Sequence, residues 1–388
     1  MWGVLSMDVA ILVSSLCGGG AERIAINVAE SLASKMDCRI IPIYRTHVQY
    51  WSHLSGTPII SYSTNVLLRI LKRSVILYRY ITYLRKNNVR VSLSILTEDN
   101  LINLLACFFT QSLPIISVHE MPKVTFCLPK IFEWIVFNFA KYSNTKIICV
   151  SNGVAESLIN QYHILPSQVD VIYNPIDINK IRSLANEPLL DSYIVTDTPI
   201  ILTVGRLTEV KAQWHLIRAF AELRKTIHCQ LLICGIGDEL KYLRELVSEL
   251  HIDGDVHFLG WKDNPYIYMK RANLFVQSSL SEALPNVLIE SMACGCPIVA
   301  AGCSSGIREI IGYDNSCGIV TQKMSGTKHV ASEPLDPGEL DLLLGMRAIM
   351  TNNTLQHQMS NACVKRAEIF GLEAGVDRYA NIIRNGVT

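Results

Sequence analysis

Two glutamates in the C-terminal half of the chain have a spacing that suits a nucleotide ligand. Glu282 and Glu290 lie in the stretch SEALPNVLIESMACGCP (281–297). Pro285 is expected to be the first residue of a helix, because proline lacks the N–H that this position leaves unbonded. The free N–H groups of residues 286–288 would then point at a phosphate. Glu290 would lie about 7–8 Å further along the helix, which is the reach from a pyrophosphate to its ribose hydroxyls.

The alternative is a surface helix that carries two unremarkable glutamates. The neighbours of Glu290 argue against it, since Leu288, Ile289, Met292 and Ala293 are apolar. A carboxylate in such a setting usually has a partner.

Two cations upstream are positioned to meet the same ligand. Arg206 and Lys211 follow the apolar run PIILTVG (199–205), which is predicted to be a strand. Open α/β sheets bind ligands beyond the carboxyl ends of their strands, and two cations there suit a pyrophosphate. Taken alone this signal is weak, because exposed arginine and lysine side chains are usually just solvated.

The N-terminal half contributes a glycine run and a histidine. Gly18, Gly19 and Gly20 follow the first predicted strand and open the helical stretch AERIAINVAESLA (21–33). Such glycines let a backbone approach a ligand closely, but their spacing is not that of a dinucleotide site, and a tight turn is the alternative. His119 ends the predicted strand PIISVH (114–119), where a structural role is the alternative to a functional one.

Length and composition indicate what must position these residues. The chain has 388 residues, of which 49% are hydrophobic and 18% charged, which fits two ordinary domains and excludes a disordered chain. Short continuous apolar runs alternate with amphipathic stretches, a pattern typical of parallel α/β sheets covered on both faces. The pattern loosens between about residues 174 and 199. We therefore expect an N-terminal domain over 1–180 and a C-terminal domain over 195–370, with a helix at about 371–388 as a candidate to pack back on the first.

The composition also limits the classes of partner. The formal net charge is +1, which gives no argument for a nucleic-acid partner. The 12 cysteines include no C-x-x-C pair, so we expect reduced thiols and no zinc site. No uncharged run reaches the roughly 18 residues of a membrane span. The sequence predicts a soluble or surface-bound cytoplasmic protein.

Five segments, in this order, give the chain a family resemblance: VGRLTEVK, LLICGIGDE, VHFLGW, the Glu282-x7-Glu290 pair and SSGIREII. Together they resemble the retaining GT-B glycosyltransferases of glycosyltransferase family 4 (group 1), of the polysaccharide or O-antigen type. The resemblance is strongest from Ile200 to Ile311. It implies a GT-B fold, in which two Rossmann-like doubly wound domains face a central cleft. The C-terminal domain would bind a nucleotide-sugar donor and the N-terminal domain the acceptor.

The resemblance also implies roles for individual residues. Arg206 and Lys211 would neutralise the diphosphate, Glu290 would bind the ribose, and Glu282 would face the sugar hydroxyls. The further donor contacts it implies are Gly19, Gly20, Trp261, Lys262, Ala283, Leu284, Pro285 and Asn286. The expected catalytic residues are His119, Arg206, Lys211 and Glu282, with His119 facing the donor sugar.

One departure from the family concerns Ala283-Leu284, since the family has Gly-Phe or Gly-Leu after the first glutamate. If a positive φ is required there, alanine would cost about 1 kcal/mol. Asp253-Gly254-Asp255 imitates a D-x-D metal motif but precedes a strand, so no metal cofactor is expected.

The N-terminal half is strongly basic over one stretch. Residues 38–97 contain no acidic residue but nine arginines and lysines. On a helix over 66–86, five of these cations share one face at 100° per residue: Arg69, Lys72, Arg73, Arg79 and Lys86. Tyr80 and Tyr83 would border that face, while Tyr78 would lie opposite. This pattern favours docking on an anionic membrane surface, with the apolar stretch TFCLPKIFEWIVFNFAKY (125–142) adding contact. A helix that covers the sheet with a solvated basic face is the alternative.

These observations predict a retaining glycosyltransferase that moves a hexose or N-acetylhexosamine from a UDP-sugar to a lipid-diphosphate-linked saccharide in O-antigen or capsule synthesis. UDP is preferred because SSGIREII resembles the UDP-dependent members of the family. Such an enzyme would associate peripherally with the inner face of the plasma membrane. A UDP-sugar epimerase of the same architecture and a non-catalytic partner subunit are the alternatives.

Overall fold

The computed structural model describes residues 7–16, 19–45, 53–61, 66–122, 128–189 and 198–387. They form two compact units, one built from Met1–Ile176 with Leu372–Thr388 and the other from Asp177–Gly371. The C-terminal helix therefore belongs to the first unit.

Unit 1 is a parallel sheet with interleaved helices. Its strands are β1 (Val9–Val13), β2 (Cys38–Pro42), β3 (Tyr44–Arg45), β4 (Ile60–Ser61), β5 (Val91–Ser94), β6 (Leu113–Val118), β7 (Lys146–Cys149) and β8 (Val169–Val171). Its helices are α1 (Gly20–Leu32), α2 (Val66–Lys86), α3 (Thr97–Phe108), α4 (Leu128–Lys141), α5 (Asn152–Tyr162) and the C-terminal α14 (Leu372–Val387). The six-stranded sheet has the order β2-β1-β5-β6-β7-β8, and β3 pairs separately with β4. Every residue of β1 (VAILV) is buried, as expected for a strand covered on both faces.

Unit 2 repeats this architecture. Its strands are β9 (Ile200–Val204), β10 (Gln230–Cys234), β11 (Val256–Gly260), β12 (Leu274–Gln277), β13 (Ile298–Ala301) and β14 (Gly318–Thr321). Its helices are α6 (Ile178–Ala185), α7 (Gln213–Arg224), α8 (Leu240–Glu249), α9 (Tyr266–Arg271), α10 (Asn286–Ala293), α11 (Ser305–Ile311), α12 (Pro337–Met350) and α13 (Asn353–Ala367). The strand order is β11-β10-β9-β12-β13-β14 and all pairs are parallel. This is the Rossmann order, in which the chain reverses direction across the sheet between β9 and β12.

Two parallel six-stranded sheets with helices between the strands confirm the predicted α/β class and its two Rossmann-like halves. Each sheet has a point where the strand order reverses, between β1 and β5 in unit 1 and between β9 and β12 in unit 2. Ligands of doubly wound sheets bind beyond the carboxyl ends of the strands at that point. The loops after β9 and β12 are therefore where the site in unit 2 is built.

Candidate active site

The loop after β9 is held by direct backbone contact with the loop after β10. Leu207 N–H donates to Ile236 O at 2.9 Å, and Glu239 N–H donates to Leu207 O at 3.0 Å. Gly237 makes this approach possible, because a Cβ there would lie 2.2 Å from Leu207 O. Arg206, which precedes Leu207, is exposed at the carboxyl end of β9, so its guanidinium is accessible to a ligand.

The same loop is joined to the segment after β12. Ser278 Oγ donates to the carbonyls of Lys211 at 3.2 Å and Ala212 at 2.9 Å. Leu280 N–H donates to Val210 O at 2.8 Å. Ala212 has φ 46° and ψ 45°, a left-handed conformation that non-glycine residues rarely adopt. The strain expected at Ala283 is thus found at Ala212, and Ala283 does not adopt a positive φ.

Lys211 and Glu282 form an ion pair at the point where the strand order reverses. Their side chains are 23% and 13% exposed. Gln277, the last residue of β12, donates from Nε2 to the same carboxylate oxygen at 3.1 Å. The structure thus brings together Lys211 and Glu282, two of the predicted site residues, and adds Gln277 as a second donor to Glu282.

A cysteine lies beside this pair. Burial raises the pKa of Cys303 to about 11, and the nearby Glu282 carboxylate adds to the rise while Lys211 opposes it. The thiol is therefore protonated at neutral pH. Cys303 follows β13, which neighbours β12 in the sheet.

Helix α10 begins at Asn286, one residue later than predicted. Pro285 is the N-cap, since its ψ of 105° is extended, and its carbonyl accepts a hydrogen bond from Leu288 N–H at 3.1 Å. Leu288 N–H is consequently not available to a ligand, contrary to our expectation. Glu290, half-buried on α10, is four residues beyond the first helical residue, or about 6 Å along the axis.

The turn that precedes α10 is fixed by α11. A Cβ at Gly306 would lie only 1.9 Å from Ala283 O, so the start of α11 packs directly against the backbone of Ala283 and Leu284. Both residues are buried.

Trp261 and Lys262 follow β11 at the same edge of the sheet, two strands away from β9. The Trp261 ring is 48% exposed, and its Nε1 donates to Asp263 Oδ1 at 2.9 Å. Lys262 Nζ lies 5.6 Å from the centre of the Tyr268 ring. Both of these contacts are with residues that follow in the chain, in the loop after β11 and in α9.

In unit 1, two carboxylates accept hydrogen bonds from the segment that joins β1 to α1. Glu22 accepts hydrogen bonds from Gly19 N–H at 2.9 Å and from Ser15 Oγ at 2.5 Å. Asp99, in the first turn of α3, accepts from Ser14 N–H at 2.8 Å and from Ser14 Oγ at 2.5 Å. Gly19 caps α1 and Gly20 is its first residue, whereas Gly18 lies outside the described residues. Burial raises the pKa of Asp99 to about 7, although its hydrogen bonds from Ser14 oppose the rise.

His119 follows β6 and is half-buried. Burial lowers its pKa to about 4, so the imidazole is neutral at pH 7. Nε2 lies 2.9 Å from Ser117 Oγ. A neutral ring can donate or accept a hydrogen bond, but it carries no positive charge at pH 7.

One group of residues has the spacing of metal ligands among the described part of the chain: His215, Asp336 and Glu339. Arg218 pairs with Glu339 of this group, since its Nε lies 2.9 and 3.1 Å from the two carboxylate oxygens and both residues are buried. The guanidinium also binds three carbonyls of residues 330–334. The group therefore anchors the loop between β14 and α12. Asp255 of the D-G-D sequence pairs with Arg224.

Helix α2 is oriented differently from the prediction. Among residues 73–86, the part of α2 whose side chains the structure describes, Ile76, Tyr80 and Leu84 are fully buried, while Tyr78, which we expected opposite the basic face, is 71% exposed. Tyr80 instead bonds Ser92 at 2.5 Å. The prediction failed because the buried side chains of Ile76 and Tyr80 fall within the same arc of the helical wheel as the cations, so the cations alone do not decide which side of α2 is exposed.

The predicted cations of α2 have varied surroundings. Arg73 pairs with Glu98 at 3.3 Å and stacks on Phe132, and Arg79 donates to Ile59 O at 2.6 Å. Lys86 is exposed. Arg69 and Lys72 are in α2, but their side chains lie outside the described residues.

An exposed apolar surface lies next to these cations. Its residues are Phe108, Phe109, Ile131, Trp134, Ile135 and Tyr142, from the end of α3 and from α4. Phe108 packs edge-on against Phe139 at 5.9 Å, which joins the two helices. A groove of about 730 Å³ continues towards α2 and is lined by Tyr78, Ile81, Thr82, Arg85, Lys86 and Phe109. We call these residues together the aromatic–basic surface. In the described part of the chain, no helix has the length and apolar character needed to cross a bilayer.

Comparison with known families identifies the chain. Residues 18–180 match the family described as Glycosyltransferase Family 4, and residues 191–329 match Glycosyl transferases group 1. The second match includes Arg206, Lys211, Glu282 and Glu290. The chain is a glycosyltransferase with the GT-B fold.

Relatives and solved structures agree with this assignment. The chain is 28% identical over 375 residues to the N-acetylgalactosamine-N,N'-diacetylbacillosaminyl-diphospho-undecaprenol 4-alpha-N-acetylgalactosaminyltransferase of Campylobacter jejuni, with 93% of this glycosyltransferase and 94% of the relative aligned. The chain is also 31% identical over 268 residues to an uncharacterized glycosyltransferase of Methanocaldococcus jannaschii. The aligned region is 64% of this chain and 65% of that relative, which is just under two thirds. The crystal structure of Anabaena HepE with UDP superposes with a TM-score of 0.79 at 17% identity, over 98% of this chain and 100% of that one.

Sequence reasoning missed several residues of this site. Gln277 was the most detectable, since it is a polar residue at the end of the apolar run LFVQ. The sequence around Gly237 and Gly306 does not indicate that glycine is needed there. The need arises from the backbone atoms that lie against each glycine, which are those of Leu207 and Ala283. Cys303 was overlooked because a lone cysteine carries little information.

The glycine contact behind Arg206 can be tested by substitution. Gly237→Ala is expected to lower the free energy of unfolding by about 1–3 kcal/mol, because the new Cβ must displace the Leu207 backbone. Thermal and urea denaturation measure this change. Gly254→Ala is the control, since a Cβ there meets nothing within 4 Å. Equal stability of the two variants would contradict the contact.

Proposed function

We propose that this glycosyltransferase moves a hexose or N-acetylhexosamine from a UDP-sugar to a lipid-diphosphate-linked saccharide, with retention of anomeric configuration. The observation that carries the proposal is the Lys211–Glu282 pair beside the start of α10, at the point where the strand order of unit 2 reverses. A cation and a helix start suit the diphosphate, and a carboxylate suits the sugar hydroxyls.

In this mechanism the bond between the anomeric carbon and the β-phosphate oxygen breaks first. Negative charge develops on the leaving diphosphate, where Arg206, Lys211 and the N–H groups at the start of α10 stabilise it. The acceptor hydroxyl then bonds to the oxocarbenium-like carbon from the face that the phosphate leaves, and its proton goes to the departing phosphate oxygen. Gln277 continues to hold Glu282 when Lys211 turns to the phosphate. His119 orients the sugar as a neutral hydrogen-bonding group.

The choice of donor and acceptor draws on the relatives. Anabaena HepE was crystallised with UDP, and the name of the Campylobacter relative specifies a saccharide on diphospho-undecaprenol. These are properties of those proteins, and we extend them to this chain together with the resemblance of SSGIREII to UDP-dependent members of the family. We expect no metal cofactor, because Lys211 and Arg206 supply the positive charge that a metal would otherwise bring.

A donor screen tests the activity. UDP- and GDP-sugars are incubated with the protein and a membrane lipid extract, and nucleoside diphosphate release is measured with and without EDTA. We expect UDP release that depends on lipid and is insensitive to EDTA, and a product whose anomeric configuration by NMR equals that of the donor. Formation of a sugar epimer without lipid would instead select an epimerase.

Binding of the nucleotide is a separate prediction. By calorimetry, Lys211→Met is expected to weaken UDP binding by about 10-fold or more, since it removes a charged hydrogen-bond donor to phosphate. The wild type is expected to prefer UDP over 2′-deoxy-UDP by about fivefold, and Glu290→Ala to abolish that preference.

Lys241→Met is the matched control for Lys211→Met, because the Lys241 side chain is 88% exposed on α8. It should bind UDP like the wild type. A Glu290→Ala variant that still discriminates between the two nucleotides would refute the ribose assignment.

We also propose that the aromatic–basic surface of unit 1 docks on the anionic cytoplasmic face of the plasma membrane. The support is the proximity of exposed aromatics, which favour the interfacial zone of a bilayer, to Arg85 and Lys86, which attract anionic headgroups. Such docking would bring the enzyme to a lipid-linked acceptor.

Vesicle sedimentation tests the docking. We expect binding to vesicles with phosphatidylglycerol, release by high salt, and weak binding to phosphatidylcholine alone. The double variant Ile131→Ser/Trp134→Ser should bind less, whereas Tyr313→Ser, which removes an exposed aromatic of unit 2, should not. Equal binding to neutral and anionic vesicles would exclude the electrostatic part.

A further inference from the structure

Ser14 and Asp99 meet at the point where the strand order of unit 1 reverses. Ser14 is the residue after β1, and Asp99 lies in the first turn of α3, which follows the neighbouring strand β5. Asp99 accepts hydrogen bonds from Ser14 N–H at 2.8 Å and from Ser14 Oγ at 2.5 Å. One carboxylate therefore holds both the backbone and the hydroxyl of this serine.

The two residues differ in their access to a ligand. Asp99 has no exposed surface, whereas Ser14 is half-buried. The Ser14 carbonyl is also engaged, because it accepts a hydrogen bond from Tyr44 N–H at 2.9 Å. In the part of the chain that the structure describes, no group donates a hydrogen bond to Ser14 Oγ. The lone pairs of this oxygen are therefore what the pair can offer to a ligand.

Helix α3, which carries Asp99, is tied to the sheet by a buried asparagine. Asn103 follows Asp99 by four residues and therefore lies on the same face of the helix. Its Nδ2 donates to Ser92 O in β5 at 2.9 Å and to Ile115 O in β6 at 3.0 Å. These two bonds fix the first turn of α3 against the strands, so Ser14 meets a carboxylate whose helix is held in place.

The chemistry of the pair selects the kind of group that Ser14 can bind. An ionised carboxylate only accepts hydrogen bonds, so the Ser14 hydroxyl gives its proton to Asp99 and can receive one from a ligand. A saccharide hydroxyl has such a proton to donate, whereas an ionised phosphate has none. The negative charge behind Ser14 would also repel a phosphate. The pair therefore suits the sugar part of a substrate and disfavours its diphosphate.

We propose that Ser14 accepts a hydrogen bond from a hydroxyl of the acceptor saccharide and that Asp99 is the positioning residue of Ser14. This inference rests on the proposed function, which requires two substrates. The donor is assigned there to the reversal point of unit 2, and unit 1 has a reversal point of its own. Doubly wound sheets bind their ligands at such points. Asp99 does not touch the saccharide in this proposal.

Saturation with acceptor tests the inference. The rate of UDP release from a UDP-sugar is measured against increasing amounts of a membrane lipid extract, at pH 8.5, where the Asp99 carboxylate is ionised. Ser14→Ala is expected to raise the lipid concentration at half-maximal rate by about fivefold, since it removes one hydrogen bond from a neutral hydroxyl. The KM for the donor and the affinity for UDP by calorimetry should stay within about twofold of the wild type.

Two further variants separate hydrogen bonding from packing. Ser14→Thr keeps the hydroxyl and should saturate with lipid like the wild type, within about twofold. In Asp99→Asn the Ser14 N–H still needs the amide oxygen, so the amide N–H₂ faces Ser14 Oγ and donates to it. The serine hydroxyl is then no longer an acceptor for the saccharide. Asp99→Asn should therefore weaken lipid saturation as much as Ser14→Ala, and combining the two should cause little further loss.

Unit 1 offers matched controls at the amino ends of its strands, away from the reversal point. Ser112, which precedes β6, donates from Oγ to Val89 O at 2.7 Å. Asp8, which precedes β1, accepts from Asp37 N–H at 3.1 Å and from Arg90 at 3.3 Å. Ser112→Ala and Asp8→Asn remove comparable groups and should leave lipid saturation unchanged. Thermal unfolding compares the stability of all the variants.

The possible results distinguish this inference from the proposals it builds on. Ser14→Ala should still sediment with phosphatidylglycerol vesicles, which separates saccharide binding from membrane docking. The inference is overturned by unchanged lipid saturation in Ser14→Ala, by a Ser14→Thr variant as weak as Ser14→Ala, or by an equal loss in Ser112→Ala. If Ser14→Ala does not fold, Asp99→Asn carries the same test. Turnover without an effect of Ser14 leaves the proposed function standing, whereas a wild type that turns over no nucleotide-sugar refutes both.

Discussion

The fold of unit 2 brings Lys211 and Glu282 together as a partly buried ion pair. The pair joins the loop after β9 to the loop after β12, the two strands between which the sheet order reverses. Both side chains are largely shielded from water, so the attraction is stronger than between solvated charges. Gln277 gives Glu282 a neutral second donor. In the donor complex proposed above, the phosphate would therefore compete for the lysine without leaving the carboxylate unpaired.

This pair requires that three loops approach one another through their backbones. Gly237 and Gly306 allow contacts that a Cβ would block, and Ala212 adopts a left-handed conformation directly after Lys211. Strained backbone of this kind persists only where the surroundings impose it, and it is common at functional sites. Here Ser278 binds the Lys211 and Ala212 carbonyls and holds the turn in place. The backbone of Lys211 is thus held in place, and its ammonium group pairs with Glu282.

The sequence predicted what depends on local pattern. Continuous apolar runs indicated buried parallel strands, and the structure has Arg206 and Lys211 after β9, Glu282 before α10 and Glu290 within α10, as predicted. The roles of these residues remain predictions. The sequence failed where the answer depends on a distant partner. Pro285 became a cap because α11 packs against the turn before it, and the face of α2 was set by what Tyr80 meets in β5.

The two units differ in the kind of polarity that they bury. Unit 2 surrounds its reversal point with full charges of both signs that remain partly accessible, which suits an anion that must bind and leave. Unit 1 instead buries groups that are neutral or close to it, because burial lowers the pKa of His119 to about 4 and raises that of Asp99 to about 7. Their serine partners compensate the burial with hydrogen bonds. Fixed neutral donors and acceptors discriminate between hydroxyl groups, as recognition of a sugar requires, whereas a full charge would favour any counterion.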